Sequence, residues 1–134
     1  MPSRVRTLPK AKSANFARKS DQFLRSAESA LARGDWDAVV SHAVHAGISM
    51  ADALTVFYLG QRSASQDHRE VLRLLDSVRL EQDELTRNKR HLSDLLGAKN
   101  AAEYEDRLMR ESDAGQALEH CARFCEWVRS KLPD

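Results

Sequence analysis

The sequence predicts an all-α protein, an antiparallel bundle of four or five helices joined by short connections. Three observations lead there. The three prolines of this 134-residue chain stand at positions 2, 9 and 133, so the interior has none. That interior is rich in Ala, Leu, Arg and Glu, all good helix formers. Apolar residues recur at three- and four-residue spacing, and no stretch shows the period of two that a strand requires.

The first helix is expected from about Ala14 to Arg33, with Phe16, Phe23, Leu24, Ala27 and Leu31 on its inner stripe. Gly34 suits the left-handed position that closes a helix. Asp35 is placed to cap the next helix, and Asp37 lies near its positive end. The second helix is expected from Trp36 to Leu59. It is apolar around much of its circumference, as a central helix is. Ala43, Gly47 and Ala51 form a ridge almost without side chains, where another helix can approach. Gly60 ends this helix, and 61–66 reads as a polar connector.

Asp67 with Glu70 three residues on suggests a capping pair. Val71, Leu75, Val78, Leu85, Leu92 and Leu96 then continue the 3–4 spacing. The polar run near 79–83 favours a break into two helices over one long one. Gly97 is expected to end this region, leaving 98–111 as a variable element. The last helix is expected to start at Asp113, with Ala117, Leu118, Cys121, Phe124, Cys125, Val128 and Leu132 facing inward and Trp127 at the edge.

Composition bounds the function. With 42% hydrophobic and 31% charged residues, the chain is a globular protein of one domain. No apolar run approaches the roughly 18–20 residues of a membrane span. The N-terminus lacks the apolar core of a secretory signal. A cytoplasmic location without membrane partners is expected. The net charge is +1, from 21 bases and 20 acids. Arg4, Arg6, Lys10 and Lys12 stand in the first twelve residues without an acid, leaving 17 bases against 20 acids, about −3, in residues 13–134. Residues 1–13 therefore read as a flexible basic arm on a domain spanning 14–134, and the body does not read as a basic nucleic-acid face.

Several residue groups carry chemistry of their own. His42 and His45 are three apart on one helix, a chelating spacing, but no nearby Cys or carboxylate completes a ligand set. They read as packing or surface histidines, and no metal or other cofactor is expected. Cys121 and Cys125 lie one turn apart, a poor geometry for a disulfide, and read as buried thiols. Arg87, Lys89 and Arg90 could join Lys99 in a basic strip, diluted by Asp83, Glu84 and Asp94.

The most informative segment is Leu95-Leu96-Gly97-Ala98-Lys99-Asn100-Ala101-Ala102-Glu103-Tyr104-Glu105. It resembles the signature region of HEPN domains, helical proteins of bacterial toxin–antitoxin and nucleic-acid-defence systems. Gly34-Asp35-Trp36-Asp37-Ala38-Val39-Val40 and Asp67-His68-Arg69-Glu70-Val71 resemble the starts of that family's second and third helices. In its ribonuclease members an Arg, usually followed by Asn, precedes a His by four to six residues. The Arg and His act on the scissile phosphate, without a metal. Here Lys99 takes the Arg position, Asn100 follows it, and Tyr104 takes the His position.

The resemblance implies a bundle with two long central helices and a two-fold homodimer whose signature segments face each other across a cleft. It offers Lys99, Asn100, Tyr104 and Arg90 as binding residues, and Lys99 and Tyr104 as the only catalytic candidates. Lys99 is a point charge and not the planar fork that grips two phosphate oxygens. Tyr104, with a reference pKa of about 10, is a poor base at neutral pH. The expectation is a non-catalytic module that binds a partner protein, such as a nucleotidyltransferase of a toxin–antitoxin pair, or RNA or a nucleotide. The alternative is a metal-independent endoribonuclease toxin using Lys99 and Tyr104.

Overall fold

The computed structural model describes residues 5–64 and 67–133. Five α-helices dominate the described residues: α1 Ser13–Arg33, α2 Trp36–Leu59, α3 Arg69–Leu75, α4 Gln82–Tyr104 and α5 Glu111–Lys131. Helix α2 is the hub, packing against α1, α4 and α5. It is long and apolar enough by composition to cross a membrane, yet thirteen of its residues are buried inside the bundle. Its apolar surface is core.

Glycine bounds α2 at both ends as expected. Gly34 (φ 77°) and Gly60 (φ 66°) adopt the left-handed conformation and close α1 and α2. Asp35 precedes α2 but its side chain makes no cap. It accepts a hydrogen bond from Arg33 Nε at 3.0 Å instead.

The small-residue ridge of α2 receives α4. A Cβ on Gly47 would lie 2.6 Å from Leu95 Cδ2 and 3.2 Å from Leu92 Cδ1, closer than packed atoms tolerate. Leu92 and Leu95 are fully buried there. From the other side α5 contributes Ala117, Cys121, Phe124, Cys125 and Val128 to the same core. Trp127, expected at the edge, is 8% exposed, and its Nε1 donates to Glu84 at 3.2 Å. The Cys121 and Cys125 sulfurs are 3.9 Å apart in a buried thiol–thiol hydrogen bond, with no disulfide between them.

The third region breaks into two helices, with the turn at 76–81. The side chain of Glu81 caps α4 by accepting from the amides of Asp83 and Glu84. Asp113, expected to begin the last helix, stands in its first turn and accepts from the Arg110 amide at 2.8 Å.

Three expectations require correction. Gly97 does not end a helix: α4 runs through it to Tyr104, so the signature segment is helical. A small sheet exists where none was expected. Strand β1 (Val5–Thr7) pairs antiparallel with β2 (Gln61–Ser63), in the register Val5↔Ser63 and Thr7↔Gln61. That pairing, with the 3-10 turn Lys10–Lys12, ties residues 5–12 to the bundle where a flexible arm was expected. Arg4 lies outside the described residues. Strands of three residues are too short to show a period, so their pairing is visible only once the helices bring them together.

Candidate functional site

The signature segment occupies about the last three turns of α4, with Glu105 just beyond its end. Lys99 is largely buried along its stem, with a side chain 17% exposed, and its Nζ lies 3.5 Å from Glu103 Oε2, one turn on. The same nitrogen stands 5.9 Å from the Tyr104 ring centroid. Tyr104 itself is 75% exposed. The segment thus holds its cation in a local clamp made by its own neighbours, and its tyrosine points to solvent. Asn100 is exposed beside it.

Arg90 does not join this group. Nine residues separate it from Lys99, about two and a half turns, which places it on the opposite side of α4. The rest of the expected strip is dispersed too. Lys89 Nζ pairs with Asp76 at 2.8 Å, and Arg87 lines a groove between α4 and α5 with Arg123 and Trp127.

The structure brings to the segment a residue that the sequence marks only through the family resemblance. His68, immediately before α3, lies near enough to Lys99 and Glu103 to feel both charges. Burial, and after it the Lys99 ammonium, push the His68 imidazole below its ordinary pKa, while Glu103 and Asp67 oppose the shift. Its Nε2 is buried without a hydrogen-bond partner among the described residues. A neutral imidazole therefore stands beside the cation of the signature, where the sequence offered only a tyrosine. His45 of α2 also acts on His68. Its ring stacks on the Phe23 ring, with centroids 5.3 Å apart.

A family model for the HEPN domain matches residues 14–131. The chain belongs to the HEPN domain family. Among solved structures, the fold is similar to that of TT1696 from Thermus thermophilus, with a TM-score of 0.67 at 16% identity. The alignment covers 90% of this chain and 98% of that one. At that identity the likeness is one of fold. No curated protein sequence matches the chain.

Within this HEPN fold a second polar cluster lies where α1, α2 and β2 meet. Asp52 is 4% exposed on α2, and its Oδ2 lies 3.3 Å from an Arg62 terminal nitrogen. The Arg62 guanidinium lies 5.1 Å from the Phe16 ring centroid. Burial raises the Asp52 pKa to about 6, against the lowering effect of Arg62 and, more weakly, Lys19. A third cluster joins α4 to α5, where His91 Nδ1 and His120 Nδ1 are 3.0 Å apart. Burial and the neighbouring His120 hold His91 below its ordinary pKa, consistent with a hydrogen bond that requires one neutral acceptor. Among the described residues no group of three or more His, Cys, Asp or Glu is arranged to hold a metal.

Proposed function

We propose that this HEPN domain is a binding module rather than a nuclease. It works as a two-fold homodimer and engages a partner protein, such as a nucleotidyltransferase, or RNA or a nucleotide. The observation that carries the non-catalytic reading is the clamp on Lys99. An ammonium held by Glu103 at 3.5 Å is already compensated, so it attracts a scissile phosphate weakly. Tyr104, at 75% exposure, stands in water and is not held in an enclosed site where it could be positioned against a phosphate. Cleavage of RNA through its 2′-hydroxyl needs a base with a pKa near neutrality, and the signature segment supplies none.

One observation favours a second reading. The neutral His68 imidazole near Lys99 is a suitable base, so an endoribonuclease here would use His68 where the family uses the His of its motif. The test incubates purified protein with labelled single-stranded RNA and separates the products by size. Intact RNA, and normal growth of cells expressing the protein, are the expected results. Cleavage abolished by both Lys99→Ala and His68→Ala would replace the binding reading with the nuclease one. Light scattering at micromolar concentration tests the dimer, and a strictly monomeric protein would remove the shared cleft.

A further inference from the structure

The outer valley between α1 and α2 collects basic side chains that the sequence disperses. Two depressions of about 410 and 480 Å³ run along it and share Gln22 and Ser26, so they form one continuous groove. Arg25, Arg33 and His42 line its first half. Lys19, His45 and Arg62 line the second. The neutral lining mixes hydrogen-bonding and apolar groups, with Ser29 and Ser49 beside the two shared residues, and Phe16, Phe23 and Ile48 in the second half.

Acids are nearly excluded from this groove. Asp52 is the one carboxylate among its lining residues, and it is buried and spent on Arg62 at 3.3 Å. Asp21 of α1 is paired with Arg129 of α5 on another face. Arg33 meets Asp35 at 3.0 Å, but both side chains are more than half exposed, so water screens that pair. Two aromatic surfaces lie at the basic end. Phe16 underlies the Lys19 and Arg62 cations at 5.5 and 5.1 Å. Phe23 carries the stacked His45 ring. From Lys19 to Arg33 the groove follows about 21 Å of helix. A row of cations with hydroxyls between them and aromatic faces at one end is the chemistry that holds a flexible polyanion carrying planar bases.

We propose that the α1–α2 valley binds a short single-stranded phosphodiester chain, with Lys19, Arg25 and Arg33 on its phosphates and the Phe23–His45 stack against a base, while Arg62 stays paired with Asp52. The inference rests on the nucleic-acid arm of the function above, and it places the contact outside the Lys99 segment.

The test is fluorescence anisotropy of the full chain with labelled oligouridylate and oligothymidylate of twelve nucleotides, at 50 and 200 mM salt. Three phosphate contacts on a single strand give a log–log salt slope of about −2.1, an affinity loss of about 18-fold across that range. The double variant Lys19→Gln/Arg25→Gln should lower the slope by about 1.4 in magnitude. The charge-reversed Lys19→Glu/Arg25→Glu should abolish binding with an unchanged far-UV circular dichroism spectrum. Arg123→Gln, outside the valley on α5 and paired with Glu119, should change the affinity less than about twofold. Binding of either oligonucleotide in this pattern supports the proposal, and the tighter of the two identifies RNA or DNA as the natural strand. The proposal is overturned if neither binds, if the valley variants bind normally, or if polyglutamate competes as well as RNA. In the first two cases the non-catalytic reading stands, because it depends on RNA remaining intact. The third would make the valley a dock for an acidic protein.

Discussion

Helix α2 has two working faces, and they differ in how they treat water. One face meets α4 across Gly47 and is dry: Leu92 and Leu95 press onto bare backbone and are fully buried. The other borders the α1–α2 valley and is wet, with His42, His45, Ser49 and the buried edge of Asp52 along it. The dry seam is specified by absence, through the small side chains at 43, 47 and 51. The wet face is specified by charges that gain meaning only beside α1 and β2. The packing seam and the proposed recognition surface thus lie on opposite sides of one helix. The signature segment, at the far end of α4, is attached to the dry side and keeps its one cation neutralised.

The comparison breaks most visibly at the seam. Leu95→Ala should cost about 2–5 kcal/mol in urea denaturation, because the rigid ridge of α2 cannot close the cavity. A loss under about 1 kcal/mol would mean that α4 does not seat on Gly47.

The wet face should respond to pH instead. Asp52 has a folded pKa near 6, above its unfolded value of 3.8. The protonated folded form is therefore favoured, so its stabilising effect is complete below pH 3.8 and is lost as pH rises through 6. The stability difference between wild type and Asp52→Asn should shift by about 3 kcal/mol between about pH 3.5 and pH 7.5, with the wild type losing ground as pH rises. Arg62, Lys19 and His45 face or adjoin this carboxyl and remain in both proteins. Parallel pH profiles would show that Asp52 is solvated.

The smallest effect contrasts two glycines. Gly97 lies inside α4 with nothing within 4 Å of where a Cβ would stand. Gly97→Ala should therefore raise stability by about 0.4–1 kcal/mol, read as a higher melting temperature. Gly47→Ala should lower it, since the new methyl meets Leu95 Cδ2.

Much of the fold was legible. Trp36 and Leu59 bound α2 because Gly34 and Gly60 on either side need a positive φ, and that requirement is local. The turn between α3 and α4 coincides with the polar run near 79–83, although Val78 and Leu80 of that turn still reach the core. Gly97 misled for the same physical reason that Gly34 informed: glycine permits the left-handed conformation without requiring it. The site was less legible. Lys99, Asn100 and Tyr104 are local in sequence and were found together, but His68 comes from 31 positions upstream and Arg90 points away.

Taken alone, the sequence determined what short-range physics can determine. It set the helical periods, the glycine stops, the small-residue ridge, and a signature segment whose only cation has an acid one turn on. The tertiary structure decided whatever depends on residues distant in the chain. It paired Val5 with Ser63, set His68 beside Lys99, buried Asp52 against Arg62, and lined one valley with cations from α1 and β2. The physical reason is that charge and burial belong to neighbourhoods in space. A mildly acidic body, about −3 over residues 13–134, can still present a basic groove once the fold has turned most of its acids elsewhere.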